Sequence, residues 1–408
     1  MRMPFGKWVS DRDWRVLLLI ASFLSLLIFV LSVSSTPVQH FLLTQGQGGF
    51  DKDSSSKEWN EEVVRSRIAV CLVGGARRFE LTGPSIVKMI LKQYPNSHLF
   101  LHSPLDKDAF KFSLLKDAPN IAAVRIFQPQ PLPHTDAHLR LLTAHNSPNG
   151  IQGLLQYFKL VEGCLEMIKR HERKNNMTYE WIVRTRVDGY WNGPLKAENF
   201  VRGKYMVPPG SCFGGLNDRF GIGDLNTSTV ALSRLSLLPQ LDSAGFTNLN
   251  SEAAFKAQLT TQGVPYTTNP LPFCILSDRH YDFPPTRYGV PVAALSSRAP
   301  LSGAKCRPCT PACRGDCVDN IMTNLEREWS WTQWENGTTL DLCDAHDRWE
   351  DGWETIFDTN KYAGAARKRI QTMKLDACLQ DFKRLKSRAA SWESPPVFDI
   401  CTFAFPST

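Results

Sequence analysis

The run Trp181-Ile182-Val183-Arg184-Thr185-Arg186-Val187-Asp188-Gly189 sets two arginines and a carboxylate at alternate positions near the end of an apolar stretch. If the stretch is a strand, Ile182, Arg184, Arg186 and Asp188 point to one side, and Trp181, Val183, Thr185 and Val187 to the other. Guanidinium groups suit phosphate oxygens, and a carboxylate suits a hard divalent metal. The pattern therefore fits a phosphate-bearing ligand. The plainer alternative is a solvent-exposed strand face with ordinary charges.

Other chemistry-bearing residues are more scattered. Gly74, Gly75, Arg77 and Arg78 follow the apolar run Ile68–Val73, where an α/β sheet opens its ligand crevice. Glycines there let a nucleotide approach the backbone and an arginine meet a phosphate; a plain strand-to-helix turn would use the same residues. His280 could complete a metal shell or be an ordinary surface histidine. There is no phosphate loop with the lysine signature, and Gly221-Ile222-Gly223 is too short for a dinucleotide fingerprint. Cysteine nucleophile chemistry is disfavoured, because no cysteine has a recognisable partner.

These residues must be positioned by the elements around them. Residues 68–73, 99–101 and 121–127 read as short buried strands, and 82–93 as a helix through Ile86, Met89 and Ile90. Ile151, Leu154, Leu155, Phe158, Val161, Leu165 and Ile168 recur at helical spacing, the clearest amphipathic helix in the chain. That alternation of strand and helix predicts an α/β sheet. Further helices are expected over 230–238, over 251–262 with Asn250 as cap, and over 363–388. No internal repeat is visible.

The N-terminal region speaks to location. Val16 to Val33 is an unbroken uncharged run, long enough to span a bilayer, and is read as an uncleaved anchor rather than a signal peptide. Arg2, Lys7, Arg12 and Arg15 precede it and no Lys or Arg follows until Lys52, so residues 1–15 are expected to be cytosolic. Residues 36–66 are polar and read as a flexible stem. Sequons at Asn176, Asn226 and Asn336 fit a lumenal domain.

Seven of the 11 cysteines lie in the last quarter of the chain, so a Cys-rich, disulfide-bonded C-terminal region over 299–408 is expected. The spacing of Cys306, Cys309, Cys313 and Cys317 would alternatively suit a zinc site. An odd total leaves at least one thiol free, and Cys71 and Cys164 read as small buried hydrophobes. The net charge of +7 comes without a basic arm or zinc-finger spacing, which argues against a nucleic-acid partner.

A basic tail, one anchor, a polar stem and a lumenal α/β domain over 67–298 resemble a type II Golgi glycosyltransferase. The order Val70-Cys71-Leu72-Val73-Gly74-Gly75-Ala76-Arg77-Arg78-Phe79, Arg184-Thr185-Arg186-Val187-Asp188, Asp218-Arg219-Phe220 and Ser251-Glu252 is similar to a plant family of uncharacterised membrane proteins. That family is distantly like bacterial lipopolysaccharide-synthesis proteins of the WavE type. The resemblance covers residues 67 to about 280. It implies a nucleotide-diphospho-sugar transferase (GT-A-like) fold, in which an acidic motif at a strand end holds Mn2+ or Mg2+ against the donor diphosphate.

The usual motif has two aspartates one residue apart, and here Arg186 replaces the first and only Asp188 remains as metal ligand. Arg184 or Arg186 would then neutralise the departing diphosphate, with Gly74 and Arg77 also on the donor side. The resemblance makes Glu252 the leading candidate for the base that deprotonates an acceptor hydroxyl. Asp218, in a glycine-bearing loop, is second; Asp224 has less support. Ordinary alternatives are a helix-dipole role for Glu252 and a turn role for Asp218.

The implied activity is transfer of a sugar from a nucleotide sugar to a glycan or other hydroxyl acceptor. From a different class comes a catalytically silent lumenal module that keeps the fold and binds a glycan or partner enzyme. The missing aspartate favours it. A lumenal hydrolase is less supported, since no paired carboxylates or serine triad stand out.

Overall fold

A computed structural model describes residues 52–145, 147, 149–281, 291–298, 300–324, 339–358 and 361–406. The apolar run 16–33, the stem up to residue 51 and Asn336 lie outside the described residues. Among the described residues, no helix is long and apolar enough to cross a membrane. Residues 52–65, part of the stretch read as stem from composition, form a helix instead. Its Val63 is fully buried in the core, and Trp59 donates to the Ala197 carbonyl at 3.0 Å.

The α/β class expected from the sequence is the one observed. Among the described residues, fourteen strands make two sheets: β1 (Ile68–Val73), β2 (Ser97–Pro104), β3 (Ile121–Phe127), β4 (Trp181–Arg186), β5 (Gly189–Trp191), β6 (Tyr205–Val207), β7 (Phe220–Asp224), β8 (Tyr266–Thr268), β9 (Phe273–Leu276), β10 (Ala293–Ala294), β11 (Ala304–Arg307), β12 (Cys313–Arg314), β13 (Asp341–Leu342) and β14 (Ala389–Trp392). The larger sheet has the order β14-β3-β2-β1-β4-β7-β6-β8. Its first five strands run parallel and β7 lies antiparallel to β4. The smaller sheet has the order β12-β13-β10-β11-β9-β5. The chain passes from the large sheet to the small one through the turn Val187-Asp188.

Strand alternation in β4 sorts its residues as the pattern predicts. Trp181, Val183 and Val187 join a core shared with Phe79, Phe112 and Phe382, from the helices Phe79–Ile86 and Leu375–Arg388 and the 3-10 helix Ala109–Asp117. Ile182 packs on the opposite face, with Val161, Cys164, Leu165 and Ile168 of the long helix Gly150–Asn175. Cys71 on β1 and Cys164 on this helix are disulfide-bonded, so they are not the plain buried hydrophobes expected. Each sits on the facing side of its own element, which brings the two sulfurs together.

The disulfide-bonded C-terminal region is as expected, with Cys274–Cys306, Cys309–Cys343, Cys313–Cys317 and Cys378–Cys401. Those pairings consume all four cysteines of the alternative zinc spacing, and Cys212 is the free thiol. The region is not an appendage, however. β14 pairs with β3 in the large sheet, and β11 pairs with β9 in the small one.

Two helix boundaries differ from the pattern. The expected helix 363–388 is two helices, Lys361–Gln371 and Leu375–Arg388, because Ile370 and Met373 reach the core on one side of a break and Cys378, Phe382 and Leu385 on the other. Asp381 ties the pair together, meeting Arg369 at 3.1 Å and Lys116 at 2.8 Å. The stretch 230–238 is likewise divided between Leu225–Leu232 and Leu238–Ser243. Asp224 caps the first of these by accepting from Thr227 N at 2.9 Å.

Candidate active site

The carboxyl ends of parallel β1 and β4 lie side by side, with Val73 paired to Arg186, where open α/β sheets place ligands. The turn that follows is held from three directions. Val187 N donates to Val73 O at 3.0 Å, Thr82 Oγ1 donates to Val187 O at 2.5 Å, and Leu276 N donates to Asp188 O at 3.1 Å. Gly74 closes the approach from β1. Its φ of +125° is a conformation that L side chains rarely adopt, and a Cβ there would come 2.8 Å from Val187 Cγ2.

Arg184 is not on an exposed face: it is 2% exposed and lies beneath the long helix, whose Tyr157 hydroxyl accepts from its Nη1 at 3.0 Å. Tyr157 in turn donates to the Asp218 carbonyl at 3.1 Å. Arg186 and Asp188 form a two-pronged ion pair, Nε to Oδ1 at 2.8 Å and Nη2 to Oδ2 at 2.6 Å. Burial would raise the Asp188 carboxyl, but the charge and hydrogen bonds of Arg186, with Lys305 and Arg219 behind them, hold it at about 2.

Asp218, just before β7, is buried and committed to its neighbours. Ser251 Oγ donates to its Oδ2 at 2.7 Å, and Arg234 Nη2 approaches the same oxygen at 3.3 Å. Arg234 is 2% exposed, and its guanidinium lies 4.5 Å from the Phe255 ring centre and 4.9 Å from that of Phe158. Burial opposes ionisation of Asp218, yet Arg234 and Arg184 hold its carboxyl below the usual range.

Glu252 occupies the first turn of the helix Ser251–Thr261, which Asn250 caps as expected by accepting from Ala253 N at 2.8 Å. Its backbone is pressed into the loop before β7: Leu216 N donates to Glu252 O at 3.1 Å, and a Cβ on Gly215 would collide with that carbonyl. Among the described residues, the Glu252 carboxyl has no ion-pair partner. Burial and then the charge of Asp218 raise it to about 7.

Two cations complete the cluster. Arg219 Nη1 donates to Ser211 Oγ at 2.5 Å and to Gly303 O at 2.6 Å. Lys305, on β11, has no ion-pair partner among the described residues. Burial, then Arg219 and Arg186, lower its ammonium to about 7 against the opposing pull of Asp188.

Of the residues singled out from sequence, Arg184, Arg186, Asp188, Asp218 and Glu252 therefore belong to one cluster. Gly74 borders it. Arg77 is exposed, with its charge acting on Asp106 and its carbonyl accepting from Lys111 at 2.6 Å. Asp224 pairs with Trp181 at the opposite end of β4 from Arg186, so it is remote from the cluster. His280 is exposed. Asn176 and Asn226 are exposed, the first at the C-cap of the long helix.

Sequence reasoning assigned no role to Tyr157, Arg219, Arg234 or Lys305. A weak signal existed for Arg234 and Lys305, each a cation set in a mostly apolar stretch, in Val230-Ala231-Leu232-Ser233-Arg234-Leu235 and Gly303-Ala304-Lys305-Cys306. Among the described residues, no group of three or more His, Cys, Asp or Glu side chains is placed to hold a metal ion.

Fold and cluster together define an α/β protein with a charged site at the carboxyl edge of a mixed sheet, where a second, disulfide-bonded sheet meets it. The chain belongs to the family described as Domain of unknown function (DUF7796), which it matches over residues 63–407. None of the curated proteins matches this sequence. Among solved structures, it is similar to mouse xyloside xylosyltransferase 1 in its apo form. The identity is 13% and the TM-score 0.31, over 50% of this chain and 84% of that one.

Proposed function

We propose that this chain is a glycosyltransferase that binds a nucleotide sugar at the carboxyl edge of β1 and β4 and passes the sugar to a hydroxyl acceptor. One observation carries the reading: in the cluster, Arg184, Arg186, Arg219, Arg234 and Lys305 outnumber Asp188, Asp218 and Glu252 by five to three. Arg184 and Arg234 are buried and the other three partly so, and such an excess of positive charge is costly unless an anion shares it. A diphosphate would supply that anion.

Glu252 is the base in this reading. Its carboxyl titrates at about 7, which suits removal of a proton from an acceptor hydroxyl on the face opposite the leaving group, as in an inverting transfer. Asp188 and Asp218 orient arginines and are not available to the acceptor. Arg184 and its neighbours offset charge as the diphosphate departs from an oxocarbenium-like transition state.

The residues around Asp188 do not fit Mn2+ or Mg2+. Both carboxylate oxygens accept from Arg186, and the next charges, Lys305 and Arg219, are cations. No step of the proposed transfer runs through a metal.

The same ion pair favours a second reading, a silent module that binds a glycan or partner enzyme without turnover. The two separate in one experiment on the purified full chain: thermal shift and donor hydrolysis across a panel of nucleotide sugars. The transferase reading expects stabilisation by one nucleotide class and slow hydrolysis that falls at least tenfold in Glu252→Gln. Binding without hydrolysis leaves the silent module, and no shift with any donor removes the donor site.

We also propose that the folded part is lumenal and that residues 16–33 anchor it in a secretory-pathway membrane such as the Golgi. Five disulfides and exposed sequons at Asn176 and Asn226 support this. Expressed in a eukaryotic cell, the chain should lose apparent mass on glycosidase treatment, and an unchanged band would count against it.

A further inference from the structure

The small sheet brings to the site a side chain that the donor-binding motif does not contain. Gly189, Ile275 and Lys305 form one row across β5, β9 and β11. Residues in such a row share a face, and two inter-strand steps of roughly 4.8 Å separate its ends, a span that a lysine side chain can largely cover. Gly189 immediately follows Asp188. Arg219 is fastened just ahead of β11, through its bond to Gly303 O, two residues before Lys305.

We propose that this site takes the diphosphate of a nucleotide without a divalent cation, with Lys305 and Arg219 supplying the positive charge that a metal would otherwise bring. The proposal rests on the donor-binding reading and adds to it the charge that replaces the metal. Arg186 is spent on Asp188 and Arg234 on Asp218, so neither is free to meet a phosphate without breaking an ion pair, part-buried in the first case and buried in the second. Lys305 and Arg219 have no carboxylate partner within ion-pair distance among the described residues. Arg219 has two neutral acceptors, Ser211 Oγ and Gly303 O, which leave part of its five-donor fork for a ligand.

Proton linkage supports the assignment. The charges facing Lys305 are Arg219 ahead of β7, Arg186 and Asp188 at the end of β4, and Arg279 beyond β9; with burial, their balance lowers the ammonium to about 7. At pH 8 most Lys305 is therefore neutral in the free protein. A phosphate placed beside it favours the charged form, so binding draws a proton from solvent.

Isothermal titration of the full chain in detergent with UDP and with GDP tests this, each in EDTA and in manganese at pH 8, and in two buffers of different ionisation heat. The expected result is binding of one of them in EDTA, changed less than about twofold by manganese and accompanied by proton uptake. Lys305→Ala should weaken it at least tenfold and Lys305→Arg should restore most of it. Binding that requires manganese would overturn the proposal and leave the donor-binding reading standing. Binding in EDTA that ignores Lys305→Ala, or proceeds without proton uptake in the wild type, would also overturn it. Failure of both nucleotides in both conditions would remove proposal and reading together for these two bases.

Discussion

At the scale of single residues, the cluster divides into side chains that hold and side chains that are held in reserve. Asp188 and Asp218 are neutralised by arginines, whereas Glu252 carries its carboxyl through the neutral range without an ion-pair partner. The stability consequence has a definite sign. Glu252 titrates at about 7 when folded, against 4.5 for a free glutamate, so between those values the folded chain keeps a proton that the unfolded chain has released. Stability from this group is therefore lost as pH rises from 4.5 through 7. Glu252→Gln, neutral at every pH, should melt with the wild type at pH 4 and be more stable at pH 8, by up to about 3 kcal/mol. Denaturant melts at the two pH values check this; a mutant that is less stable at pH 8 would show that the carboxylate is well solvated. Asp218 and the β4 motif were legible because charges in short motifs stand out, and Glu252 was singled out by the family resemblance. Which carboxylate is free was not legible, since Arg234 reaches Asp218 from another element.

At the scale of elements, strong patterns were legible and short ones were not. β1, β3, β4 and the long helix follow from apolar runs and helical spacing, and their burial agrees with those patterns. The small sheet was invisible in sequence, because β10, β12 and β13 are two-residue strands that carry no periodicity. Cysteines do what propensity cannot there. Cys274 on β9 pairs in register with Ala304, two residues before Cys306 on β11, and the two cysteines are disulfide-bonded, which fixes the strand that presents Lys305. Replacing both by serine should lower stability by about 2–5 kcal/mol, read as a lower thermal midpoint. It should also weaken nucleotide binding more than replacing Cys378 and Cys401, a pair in the large core away from the cluster. Equal losses of binding from the two pairs would mean that the small sheet has no special role in the site.

At the scale of the whole molecule, the composition-based boundary near 298 does not separate two folding units. Beyond it lie β14, the edge strand of the large sheet, and β11 to β13 of the small one. Beyond it too lie Cys378, Phe382, Leu385, Ile400 and Cys401, all buried in the core that covers one face of β1 to β4. A chain ending at residue 298 would expose that face and leave β3 as an unpaired edge, which invites association with other chains. By contrast, the compact unit that holds both sheets begins at Asp53. Expression of 53–408 should therefore give a cooperative thermal transition with a full near-ultraviolet circular dichroism signal. Expression of 53–298 should give aggregated or loosely packed protein that keeps far-ultraviolet signal and loses the near-ultraviolet one. A sharp, reversible melt of 53–298 would show that the large sheet closes without its C-terminal helices, and that the Cys-rich region is an addition to the fold after all.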